Sequence, residues 1–210
     1  CPVARPGQRQ GCLGGLVVVS VGIYHRLGAA VDDSCLGVGR KTVADKRHEY
    51  FAGKVFATAG ASENHEIVAL NLAGAINQHM DGKGYRVFKG DMRLKIALPK
   101  RALRYYPDIM VTCDPEDSDQ NYKESPELLI EVTSNYKADH MEKLFAYQQI
   151  PSLEQNPIID QDPKVKKASL YQRSQAWDQD DEAPNGVIQP SSIDFTIPLE
   201  DLYSRSPSVA

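Results

Sequence analysis

The sequence has no excess of positive charge, no cysteine pair at metal-binding spacing and no apolar run long enough to cross a bilayer. Among 210 residues, 24 Lys and Arg face 28 Asp and Glu, a formal net charge of -4. That balance excludes the broad basic footprint of a non-specific nucleic-acid binder, so any such contact has to be local. Cys1, Cys12, Cys35 and Cys113 form no CxxC motif and have no His partner at zinc-finger spacing, which argues against structural zinc. A reduced, cytoplasmic protein is the simplest reading of such cysteines. The apolar stretch Leu13 to Tyr24 follows Arg5 and Arg9 as in a secretory leader, but no clean small-residue cleavage motif follows it. It is also shorter than the roughly 20 residues of a spanning helix, so no membrane association is expected. With 41% hydrophobic residues the chain can bury one ordinary core.

Residues 1–40 are rich in Gly and small side chains without a sustained period and stay unassigned, as a poorly structured or short packed extension. One domain is expected over 41–205, with 206–210 as a tail. Arg47 to Ala57 reads as a β-hairpin around Gly53. Ser62 stands where an N-cap belongs, ahead of a helix over Glu63 to Met80 with Ala69, Leu72, Ala73, Ile76 and Met80 on one stripe. His65 falls on the same side and should point inward, either as a satisfied core histidine or as part of a site. Gly82 or Gly84 ends the helix. Tyr85 to Val87 and Met92 to Ile96 suggest two strands or one bent strand. Lys100, Arg101 and Arg104 with Tyr105 and Tyr106 are either a solvated loop or a loop that contacts phosphates.

Further on, Tyr106-Pro107-Asp108 leads into the apolar Ile109 to Val111, and a polar loop spans Asp114 to Ser125. Leu128 to Val132 is nearly continuously apolar, as in a strand covered on both faces. Glu131 is the anomaly there, because a buried carboxylate is costly unless it is paired, hydrogen-bonded or metal-bound. A helix over Asp139 to Gln149 carries Lys143, which could simply pair with Asp139 at i and i+4. Ile158 to Asp160 and Ala168 to Tyr171 read as strands, the first held at a sheet edge or shortened by Pro157. Ile193, Phe195 and Ile197 alternate as a last strand, and Leu199 to Tyr203 forms a final helical turn.

Two carboxylates at adjacent strand ends offer hard oxygens suited to Mg²⁺ or Mn²⁺. A nearby ammonium could then position a nucleophile or steady charge on a scissile phosphate. Asp108, Glu131 and Lys143 could form such a constellation, although residues this common make spacing alone a weak signal.

From about Arg47 to Tyr203 the chain resembles the Uma-two family, part of the PD-(D/E)XK restriction-endonuclease-like superfamily. The resemblance rests on Arg47-His48-Glu49-Tyr50 with Gly53, Ala59-Gly60-Ala61-Ser62 with His65, and Tyr106-Pro107-Asp108. It continues through Pro126 with Glu131-Val132-Thr133-Ser134, Asp139 with Lys143 and Tyr147, Ile150-Pro151-Ser152-Leu153, and Asp160. It implies an α/β fold, a mixed central β-sheet flanked by α-helices, with a divalent metal and a nuclease-like site acting on DNA. Asp108 matches the first acid and Glu131 the second, as metal ligands. The superfamily's usual lysine would stand at Thr133, and Lys143 matches the lysine that this family places on the following helix. Glu49 matches an early acidic position that could add a ligand or bind a basic residue, and with His65 it makes a possible additional site. Glu154-Gln155-Asn156-Pro157 departs from the usual aromatic and apolar strand, which puts the sheet edge in question. A homodimer would let two sites address two strands. A non-catalytic DNA-binding or protein-interaction module on the same fold is the alternative, favoured by the acidic net charge and the displaced lysine.

Overall fold

The computed structural model describes residues 48–51, 54–57, 61–99, 101–133, 139–180, 183 and 186–207. Residues 1–40, with the apolar run at Leu13 to Tyr24, lie outside them. Strands β1 (His48–Phe51) and β2 (Lys54–Ala57) pair antiparallel, as the expected hairpin. Helix α1 (Glu63–His79) starts where Ser62 Oγ accepts the His65 backbone N–H at 3.2 Å, and it buries Val68, Ala69, Leu72, Ala73 and Ile76. Gly82 and Gly84 then turn the chain at φ of +71° and +79°, a region where a side chain is strained.

Next come β3 (Arg86–Lys89), β4 (Arg93–Leu98), β5 (Arg101–Tyr105) and β6 (Ile109–Thr112). The segment at Arg101 is therefore a strand rather than a loop. Leu103 and Tyr105 are buried while Ala102 and Arg104, which alternate with them, are half-buried, a period of two that the cluster of cations obscures in the sequence. The polar Asp114 to Ser125 connection contains the two-residue β7 (Tyr122–Lys123). Its turns are held from within. Asp117 Oδ2 accepts the Glu124 and Ser125 backbone N–H groups, each at 2.9 Å, and buried Lys123 donates to the carbonyls of Asp117 and Asp119.

After β8 (Leu128–Thr133), α2 runs from Asp139 to Tyr147. It is followed by β9 (Gln155–Asp160), β10 (Ala168–Gln172), β11 (Gln179–Asp180), β12 (Val187–Ile188), β13 (Ile197–Pro198) and α3 (Leu199–Leu202). The last strand is shorter than its alternation suggests, because Ser191–Ile193 form a 3-10 turn and Asp194 is left-handed.

The central sheet has six strands in the order β11-β10-β9-β8-β6-β3, antiparallel throughout except for the parallel β8–β9 pair. It is the expected mixed sheet. A second sheet runs β2-β1-β5-β4-β7, and β12 pairs with β13. Alternation along β8 explains its continuous apolar run. Leu128, Ile130 and Val132 join the core under α1 and α3, whereas Leu129 joins a second core with Leu94, Ile96, Leu103, Tyr105, Ala146 and Tyr147. Glu131 and Thr133 follow Leu129 on its side of the strand.

Pro157 does not hold β9 at an edge. The strand lies between β8 and β10, and the β8–β9 register lapses only between the Leu128–Gln155 and Glu131–Ile158 pairs. An uninterrupted parallel ladder would bring an N–H from position 157 to the Leu129 carbonyl, and proline has none. The Asn156 side-chain amide donates to that carbonyl instead, at 2.8 Å. The unusual Gln-Asn-Pro run thus carries its own replacement donor. Among the described residues, no helix is long and apolar enough to cross a membrane.

Candidate active site

Asp108 lies one residue ahead of β6. The antiparallel register pairs Ile109 with Ile130, so one further step places Asp108 across from Glu131. The Asp108 carboxylate is tied to β8, because the Val132 N–H donates to its Oδ2 at 2.8 Å. From the first turn of α1, His65 Nε2 comes within 3.1 Å of the same oxygen. The inward expectation for His65 therefore ends in a specific contact. Burial lowers the His65 pKa, but the hydrogen bond and charge of Asp108 and the charge of Glu66 outweigh it, against Lys89, and leave it raised above 6.5.

Glu131 is 4% exposed. Such a carboxylate needs partners, and α2 supplies two. The Tyr147 hydroxyl donates to Oε1 at 2.7 Å, and Lys143 Nζ stands 3.7 Å from Oε2. Lys143 and Tyr147 are one helical turn apart, which puts both on the side of α2 that meets β8. The lysine thus reaches the acid by way of the helix, while Thr133, at the superfamily's usual lysine position, is buried. Tyr147 is one of the residues that carry the family resemblance, but the sequence assigns it no role; its i, i+4 spacing from Lys143 is the signal that places both on one face.

The remaining positions are less connected. Glu49 pairs with Phe56 in the β1–β2 ladder, and its side chain lies outside the description. The same holds for the Arg101 side chain and for all of Lys100. Arg104 is half-buried in the second sheet, across from Tyr50 on one side and Lys95 on the other. Asp139, the alternative partner for Lys143, has no described side chain.

Whether the acids suit a divalent ion can be judged from their donors. Both partners of Asp108 fall on Oδ2, so Oδ1 has no hydrogen bond among the described residues. With Glu131 opposite, this gives hard oxygens from two strands, a set that fits an ion keeping several of its waters. Among the described residues, no group of three or more His, Cys, Asp or Glu side chains could hold a metal by itself.

The six-stranded mixed sheet, flanked by helices and carrying Glu131 within β8 across from Asp108, one residue ahead of β6, defines a restriction-endonuclease-like fold. Its likeness to the crystal structure of a "putative nuclease belonging to DUF820" from Anabaena variabilis has a TM-score of 0.61, with 17% identity over 77% of this chain and 92% of that one. An identity so low speaks for the fold alone. Residues 41–200 match the Uma2 family, described as "Putative restriction endonuclease", and the chain belongs to that family. It is also 33% identical to the uncharacterized protein sll1609 of Synechocystis over 127 residues, 58% of this chain and 71% of the relative. A second Synechocystis protein, slr1290, is 32% identical over 90 residues, 42% of this chain and 46% of the relative.

Proposed function

We propose that the protein is an endonuclease that hydrolyses DNA phosphodiester bonds with Mg²⁺ or Mn²⁺, and that Asp108 and Glu131 hold the ion. The observation that carries this reading is the approach of Lys143 Nζ to within 3.7 Å of Glu131 Oε2. An acid pair alone is common, but an ammonium brought to it from a separate helix supplies the third element of a phosphodiesterase.

The ion would lower the pKa of a water and screen charge on the phosphate. Asp108 is kept in place by the Val132 N–H and His65, so its carboxylate needs little reordering. Lys143 orients the attacking water and stabilises charge that builds on the phosphoryl oxygens. The water gives up a proton to solvent as its oxygen bonds to phosphorus, the bond to the leaving sugar oxygen breaks, and that oxygen takes up a proton from solvent. Lys100, Arg101 and Arg104 precede Asp108 closely in the chain and would contact the DNA backbone. Residues 41–205 would form the domain, acting in the cytoplasm as a homodimer with one site for each strand.

The test is cleavage of plasmid DNA in Mg²⁺ or Mn²⁺ by the parent and by Asp108→Ala, Glu131→Ala and Lys143→Ala. Parent cleavage that each substitution abolishes supports the assignment. Binding of DNA without cleavage by the parent would favour the non-catalytic module, the reading to which the net charge of -4 and the displaced lysine lend weight.

A further inference from the structure

We infer that Tyr147 is a positioning residue for the metal site, fixing the plane of the Glu131 carboxylate so that one oxygen meets the tyrosine and the other faces Lys143 and the ion. The inference rests on the proposed metal-dependent reading and concerns a residue to which that reading gives no part.

A glutamate carboxylate turns about a broad, roughly two-fold terminal torsion, so without a tether the plane of its two equivalent oxygens is loosely set. Tyr147 fixes that plane. Its hydroxyl meets Oε1 at 2.7 Å, the short range of a hydrogen bond to a charged oxygen. Lys143 lies near the other oxygen, Oε2, at 3.7 Å. Because the tyrosine and the lysine are one turn apart on α2, a single helix holds both ends of the carboxylate in a fixed sense. Asp108 is held differently, with His65 and the Val132 N–H both on Oδ2.

The Tyr147 ring is itself immobilised. It is fully buried and meets Tyr105 edge-on, with centroids 5.6 Å apart and planes at 90°. Tyr105 ends β5, three residues before Asp108. The ring that orients the second acid is thus packed on the strand that leads into the first. A hydroxyl needed only to satisfy a buried carboxylate would affect folding alone, whereas a positioning hydroxyl also sets affinity for the ion, since partners that orient metal ligands typically contribute about 10–100-fold to affinity or activity.

The discriminating variant is Tyr147→Phe, which keeps the ring and removes the hydroxyl. Mn²⁺ affinity is measured by calorimetry on the full chain without DNA, next to thermal melts and to kcat and KM for plasmid cleavage. The expected result is a loss of Mn²⁺ affinity of about 10-fold or more, with kcat lowered and KM for DNA unchanged. Tyr105→Phe, which alters the neighbouring ring but not the hydroxyl on Glu131, should bind Mn²⁺ like the parent. If Tyr147→Phe melts lower yet binds Mn²⁺ as the parent does, the hydroxyl serves folding only and the inference fails. An equal loss in Tyr105→Phe would also overturn it, because general loosening of the ring pair would then explain both. A parent that binds no Mn²⁺ removes the metal reading itself, a failure recognisable before any variant is compared.

Discussion

Replacing Lys143 by Met keeps most of the aliphatic stem and removes the ammonium that faces Glu131. At a separation of 3.7 Å and an effective dielectric near 20, the Coulomb attraction is about 4.5 kcal/mol. Desolvation of both ions opposes it. Severing a fully buried pair costs about 3–5 kcal/mol, and an exposed pair contributes about 1 kcal/mol or less. Here the Lys143 side chain is 17% exposed and that of Glu131 5%, so an intermediate value applies. A coupling energy of about 1–3 kcal/mol is expected from a double-mutant cycle of Lys143→Met with Glu131→Gln, read by urea denaturation. In the same preparations, plasmid cleavage by Lys143→Met should fall by about 10²–10³-fold, as for loss of one preorganised electrostatic group. A coupling energy below about 0.5 kcal/mol, within the additivity of independent sites, would refute the claim that α2 aims this ammonium at Glu131.

Two other outcomes follow from the contacts around the acids and the central sheet. Because the His65 pKa is raised, the contribution of its pairing with Asp108 is complete below the unfolded value of 6.5 and is lost as pH rises through the folded value. The stability advantage of the parent over His65→Gln should therefore shrink across neutral and mildly alkaline pH, and an imidazole NMR midpoint at or below 6.5 would contradict the pairing. Asn156→Ala leaves the Leu129 carbonyl in the middle of the sheet without its side-chain donor, at an expected cost of about 1–3 kcal/mol in urea unfolding; a change under about 0.5 kcal/mol would mean that water or a shifted strand supplies the bond.

Periodicity and capping made much of the framework legible. Ser62 and the stripe from Ala69 to Ile76 located α1 because a helix cap and a 3.6-residue repeat are local signals. The unbroken apolar run of β8 announced a strand covered on both faces, and Glu131 within it stood out for the same reason. What stayed hidden depends on tertiary neighbours. Pro157 reads as an edge residue until the Asn156 amide is seen to replace its missing donor. Arg101 and Arg104 read as a loop because their charges mask the alternation with Leu103 and Tyr105. Tyr147 stands out only as part of the family pattern, because nothing local reports that its hydroxyl ends at a carboxylate contributed by another element. The approach of Lys143 was a question that only the packing of α2 could answer.

The β6–β8 hairpin keeps its two ends apart. The acids stand at one end, and the Asp114 to Ser125 connection leaves from the other, beyond Thr112, roughly 13 Å along the strand from Asp108 at about 3.3 Å per residue. The Asp117 and Lys123 bonds anchor the base of that connection, and its exposed tip includes Gln120 and Asn121. Chain length can therefore vary at the tip without changing the spacing of the acids. Gln120–Asn121 is accordingly the place to graft a reporter peptide or a second binding module onto this scaffold while leaving its chemistry where it is.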